Sequence, residues 1–186
     1  MGEFDRFLVR VVDGVRRGAL TQQEAAHYVG EQVARRLYCS SATLWTLSGP
    51  PGLRVLTRVG GFDATLKMPL SEPLQVTLPG ASAWADTLSE QGLFCCTDAH
   101  ADARLAGALA GMVGLRRVRG LLQAAIGANA RLWGFVSCAQ YDAPRAWSLR
   151  EITQLQRIAV SLSIRRSRDG ASGRSRIALP VSRAST

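Results

Sequence analysis

The residues with the widest chemical range in this sequence are four cysteines, Cys39, Cys95, Cys96 and Cys138. A thiolate serves as nucleophile, metal ligand or redox centre, but only where a basic or helix-end setting lowers its pKa. Adjacent Cys95 and Cys96 lack the C-x-x-C spacing of zinc and thioredoxin-like sites. On a strand their side chains leave on opposite faces. Buried thiols acting as small hydrophobes are the plainer expectation. Two other residues stand out, Gln123 and Ser137, each polar within an otherwise apolar run. A buried amide must find hydrogen-bond partners. Each other, a loop carbonyl or a bound molecule would supply them.

Elements must hold such groups in place. Phe4, Phe7, Leu8, Val11, Val12 and Val15 recur at spacings of three and four, which predicts one apolar stripe along a helix that ends at Gly18. "TQQE", Thr21 to Glu24, is a capping box for a second helix running to about Tyr38. From Ser41 the period changes. "SATLWTLS" and "LRVLTRVG" flank the turn "GPPG" as a hairpin, and "PLQVTLP", Pro73 to Pro79, is a third strand. A short helix over Ala81 to Gln91 leads into the strand "LFCCTDA", and a second is expected at about Asp102 to Met112. "RVRGLLQAAIG" and "RLWGFVSCAQY" are two further strands. A last helix starts at Ser148 with the capping box "SLRE". Helices flanking a run of strands predict an α+β domain with a central, mainly antiparallel sheet.

With 186 residues, the chain fits one domain and a tail. A domain of about 160 residues buries roughly 70% of its unfolded surface, so its core needs no disulfides. No apolar run reaches the ~18 residues of a membrane span. The N-terminus lacks the basic-then-apolar order of a secretion signal, so a cytoplasmic location is expected, with no membrane partner. The net charge of +9 is uneven. From Arg165 onward six Arg and one Asp supply +5 of it. That segment lacks periodicity, so residues 167–186 are expected to form a basic, disordered tail.

From about Leu20 to Arg165 the sequence resembles a GAF domain, the small-molecule sensor module of bacterial signalling proteins. The likeness lies in "WADTLSEQGLFCCTDAHADAR", "RGLLQAAIGANARLWGFVSCAQY" and "PRAWSLREITQLQRIAVSLSI", the last two being similar to phytochrome GAF domains. The resemblance implies a GAF domain over 19–166. Terminal helices would cover one sheet face, and short helices and loops would form a pocket lid on the other. Leu121, Gln123 and Ala125, with Phe135, Ser137 and Ala139, would then look toward the ligand, and Trp84, Asp98 and Arg104 would border the pocket. Asp98 and Arg104 read equally well as a helix-end carboxylate and a solvated arginine, and Trp84 as core.

The departures also matter. Tetrapyrrole-binding relatives carry Cys or His on the lid helix and His after the "LWG" strand. Here no Cys or His lies between Ala101 and Ser137. A covalent bilin is not expected, and the cofactor is left unknown. The leading expectation is a non-catalytic sensory or regulatory domain in bacterial signal transduction, with an unidentified small-molecule ligand and a signalling output protein as partners. A homodimer through the first and last helices is expected, with residues 1–18 as the dimerisation helix, because an unpaired Phe4–Val15 stripe would leave a sizeable apolar patch. The enzymatic alternative resembles the free methionine sulfoxide reductase, a thiol-dependent reductase of a small metabolite, through Cys95, Cys96 and Cys138. Nucleic acid is not an expected partner, because the arginine-rich tail has no aromatic residue for stacking.

Overall fold

The computed structural model describes residues 2–50, 53–79, 82–105, 117–128 and 131–171. Two helices open the chain, α1 (Glu3–Arg16) and α2 (Gln22–Leu37). The Thr21 hydroxyl accepts from Glu24 N at 3.1 Å, and the Glu24 carboxylate accepts from Thr21 N at 2.7 Å. Tyr38 ends α2 in the left-handed region, at φ 48°.

Seven strands follow: β1 (Ser41–Ser48), β2 (Leu53–Asp63), β3 (Met68–Pro69), β4 (Gln75–Pro79), β5 (Leu93–Cys96), β6 (Val118–Ala128) and β7 (Arg131–Tyr141). Helix α3 (Ala83–Gln91) precedes β5, and α4 (Leu149–Ala171) closes the described chain. The strands form one sheet in the order β3-β2-β1-β7-β6-β5, with β4 also paired to β2. Every pairing is antiparallel. The fold is therefore α+β, as the sequence predicts.

Alternation along the central strands sorts side chains onto two faces. On the back face, Leu122, Ala124, Val136 and Cys138 pack under Leu8 and Val11 of α1, Val29, Val33 and Leu37 of α2, and Leu155 and Ile158 of α4. On the front face, Leu121 and Phe135 pack with Trp84 and Leu88 of α3 and with Phe94 and Leu105. Two glycines permit close layers. A Cβ on Gly30 of α2 would lie 2.7 Å from the Ala42 carbonyl oxygen, and one on Gly134 of β7 only 2.0 Å from that of Trp45.

The loop between β7 and α4 is fastened by Arg145. Its guanidinium donates to the carbonyls of Leu37 and Tyr38, to Gln140 Oε1 and to Glu151 Oε1. It also lies over the Trp147 ring at 4.3 Å, and Trp147 is buried in the back-face core. The "SLRE" box then starts α4, with Glu151 N donating to Ser148 Oγ and Ser148 N to the Glu151 carboxylate.

Several expectations change. The stripe of α1 is not bare: Leu8 and Val11 are buried in the chain's own core, and Phe4 and Phe7 pack against it. Helix α4 runs to Ala171, past the boundary expected at 166. Arginine propagates a helix well without any apolar stripe. The strand expected at Pro73 starts at Gln75, and the two-residue β3 was not foreseen. Of the helix expected over 102–112, the described part is a 3-10 turn, Ala103–Leu105, and 106–112 lie outside the described residues. So does the tail from 172 onward. No helix among the described residues is long and apolar enough to cross a membrane.

Candidate functional site

Strand register builds the floor of a cavity on the front face. Thr43 of β1 lies opposite Ser137 of β7, and Ser137 opposite Gln123 of β6. One polar row thus crosses three adjacent strands. It is bonded internally: Trp84 Nε1 donates to Gln123 Oε1 at 2.6 Å, and Gln123 Nε2 donates to Ser137 Oγ at 3.0 Å. Trp45 Nε1 donates to Thr43 Oγ1 at 2.8 Å. Trp45 stacks on Phe135 with ring centroids 5.9 Å apart, and Trp84 meets Phe135 edge-on at 5.4 Å.

Above this floor lies a cavity of about 260 Å³. Its apolar wall is Trp45, Leu56, Leu70, Leu74, Trp84, Leu105, Val118, Leu121, Phe135 and Ala139. Its polar lining is Ser41, Thr43, Arg58, Asp63, Arg117, Gln123, Ser137 and Tyr141. The 70–74 segment forms one side. Arg58 N donates to Leu74 O at 2.8 Å, Arg58 Nη2 to Glu72 O at 2.6 Å, and the Gln23 side-chain amide to Ser71 O. Asp63 Oδ1 accepts from Thr65 N, Thr65 Oγ1 and Leu66 N. Burial raises the Tyr141 phenol pKa, and Ser41 and Asp63 lie against it. It is a protonated donor at neutral pH.

Five of the seven residues singled out from the sequence, Trp84, Leu121, Gln123, Phe135 and Ser137, line this cavity. Asp98 and Arg104 do not. Asp98 takes a two-point ion pair from Arg119 at 2.9 and 2.7 Å. The Arg119 hydrogen bond is the main reason its carboxyl pKa falls to about 2. Arg104 is held by Asp102 and the Cys95 carbonyl, and lies 4.4 Å over the Phe94 ring. Asp98 is tied down by a partner 21 positions away, and Arg104 by nearby Asp102 together with Phe94 and the Cys95 carbonyl. Arg58, Arg117 and Tyr141, which do line the cavity, were missed. The signal for Arg58 was a charge inside a strand, flanked by Thr57 and Val59 and two residues from Leu56.

The thiols take no part in this lining. Burial raises the Cys95 pKa. Burial, then Asp102, lifts Cys96 to about 11, and burial, then Cys39, lifts Cys138 well above the usual range. A reductase nucleophile needs the opposite shift. Among the described residues no three His, Cys, Asp or Glu side chains cluster to hold a metal.

Gln123 is the hinge of the polar row. Replacing it with Leu leaves Trp84 Nε1 buried without an acceptor, which costs about 1–3 kcal/mol. Adding Trp84→Phe removes the orphaned donor, so the double variant is expected to lose less than the two single losses combined. Urea denaturation of the four proteins measures the coupling.

A three-layered α+β domain, with α1, α2 and α4 behind the sheet and a hollow between the sheet and α3, defines the class. The fold is that of GAF domains. The chain is similar to the phycocyanobilin-bound GAF domain of a cyanobacterial phytochrome, at 14% identity and TM-score 0.65, covering 94% of this chain and 100% of that one. It is similar to the blue-light absorbing form of the Thermosynechococcus elongatus PixJ GAF domain, at 17% identity and TM-score 0.61, over 82% and 91% of the two chains. It is also similar to the GAF domain of an Acinetobacter phosphoenolpyruvate-protein phosphotransferase, at 13% identity and TM-score 0.61, over 92% and 97%. No protein-family profile matches the sequence, and no curated protein does.

Two of these structures are of photoreceptor domains, so a bilin is the cofactor to test for fit. Among the described residues the cavity lining contains no Cys or His, and neither does the sequence from Ala101 through Ser137. Its volume also falls below the roughly 300–1,000 Å³ of drug-sized ligand pockets. These residues do not fit a covalently held tetrapyrrole.

Proposed function

We propose that the chain is a non-catalytic sensory or regulatory domain that holds a small molecule in the front-face cavity. The observation that carries this reading is the hollow itself, floored by a polar row and walled in part by Trp45, Trp84 and Phe135. A domain with a purely structural role gains stability by filling such a space, since voids forfeit packing contacts. A route for the signal supports the reading. Gln123 and Ser137 face the cavity, while Leu122, Ala124, Val136 and Cys138 on the same strands pack in the cluster that holds Leu155 and Ile158 of α4. A ligand that shifts β6 and β7 therefore acts directly on the closing helix.

Ala139→Leu tests it, because that side chain points into the hollow. The added methylenes enter empty space, so stability is expected to change by no more than about 1 kcal/mol. Native mass spectrometry of protein purified from its own source is expected to show a retained small molecule in the wild type and none in A139L. A wild-type protein that carries nothing, and whose melting responds to no small metabolite, would sink the sensor reading.

A further inference from the structure

One cation of the cavity wall is acted on by the Glu72 charge but makes no ion pair among the described residues. Arg58 spends one donor on the Glu72 carbonyl, and its Nε is buried with no hydrogen-bond partner. Arg104, Arg117, Arg119 and Arg145 each have an ion pair, with Asp102, Asp142, Asp98 and Glu151. Burial lowers the Arg58 pKa, and Glu72 and Tyr141 offset this only in part. A half-buried charge that lacks an ion pair is costly to hold.

Its position is specified by a β-bulge. Leu44 pairs with Gly60, but Trp45 pairs with Arg58, leaving Val59 as the extra residue of β2. Without that bulge, period two would place Arg58 on the same face as Phe62, in the back core. The extra residue re-aims it into the cavity beside Leu56, directly across from Trp45. Bulges recur where a side chain must be redirected at a site.

The remaining hydrogen-bonding capacity is on the donor side. Trp84 already occupies Gln123 Oε1, and Trp45 already donates to Thr43. The hydroxyl hydrogens of Thr43 and Ser137, and the spare N–H groups of Arg58, are left for an acceptor. Asp63, also in the lining, limits the charge the site can take. A dianion would face its carboxylate with only Arg58 unmatched, since Arg117 is paired with Asp142.

We propose that the cavity is a receptor site for a small monocarboxylic acid, its carboxylate on the Arg58 guanidinium and its apolar body against Trp45, Trp84 and Phe135. This rests on the reading of the cavity as a binding site and adds the chemical class of its occupant.

Trp45 and Trp84 make tryptophan fluorescence a direct readout for titrations of the full chain with benzoate, benzamide and phenyl phosphate. Benzoate is expected to bind at least about tenfold tighter than either other probe, the scale of a charge-assisted hydrogen bond. Arg58→Met is expected to bring benzoate down to the level of benzamide and to leave benzamide unchanged. The wild-type ratio of benzoate to benzamide decides the matter even if that variant misfolds. Equal binding of benzoate and benzamide, tighter binding of phenyl phosphate, or no binding of any probe at millimolar concentration overturns the inference. A neutral molecule retained in the native mass spectrum also overturns it while leaving the proposed function intact. An empty protein that responds to no metabolite removes the proposed function itself.

Discussion

Gly134→Ala is expected to destabilise the domain by about 3 kcal/mol, at the upper end for an overpacked interior. The new Cβ would sit 2.0 Å from the Trp45 carbonyl oxygen and 3.1 Å from Thr46 Cα. Both obstacles are main chain of the neighbouring strand, so no rotamer change relieves the clash. Thr46 and Gly134 are paired across the β1–β7 ladder. The strands must part, and they part beside Trp45 and Phe135, whose stacked rings belong to the cavity wall. Urea denaturation gives the loss as a lower midpoint with little change in slope. The fluorescence response to benzoate should vanish with it. A midpoint within experimental error of the wild type would mean that β1 and β7 are less tightly paired than described here.

The second large effect is expected at Arg145. Replacement by Met should cost about 3 kcal/mol, since it strands several partly buried acceptors at once. The carbonyls of Leu37 and Tyr38, Gln140 Oε1 and Glu151 Oε1 all lose a charged donor, and the Trp147 ring loses its cover. Arg145→Lys should recover only part, because one ammonium cannot span the acceptors a planar fork reaches. The loss should also depend on pH. Burial pulls the Glu151 pKa up, but bonds from Ser148 and Arg145 outweigh it and hold the carboxyl below its ordinary 4.5. A depressed folded-state pKa stabilises above the unfolded value and stops doing so as pH falls through the folded one. The gap between wild type and R145M should therefore be widest near neutrality and narrow below about pH 4.5. Denaturant midpoints across that range measure it. A gap that is constant with pH would remove Glu151 from the account.

What could be read from the sequence was local. Thr21 and Glu24, and Ser148 and Glu151, sit three residues apart, and a capping box needs nothing else. Alternation along β6 and β7 placed Gln123 with Leu121, and Ser137 with Phe135, because side-chain direction in a strand follows position alone. The α+β order followed from the same periodicities.

The tertiary structure decided everything that depends on an unseen partner or an irregular step. Arg145 looks like any loop arginine until the end of α2 arrives more than a hundred positions away in sequence. Asp98 and Arg104 are polar residues near a predicted pocket, and only folding brings Arg119 to the first and sets the second over Phe94. The α1 stripe shows that an apolar face needs cover but not whether the cover is its own core or another molecule. Arg58 is the sharpest case. Strict alternation along β2 sends it to the back face, and one bulged residue sends it to the cavity. Local periods propagate along one strand, whereas a bulge and an ion pair are set by how two distant segments meet.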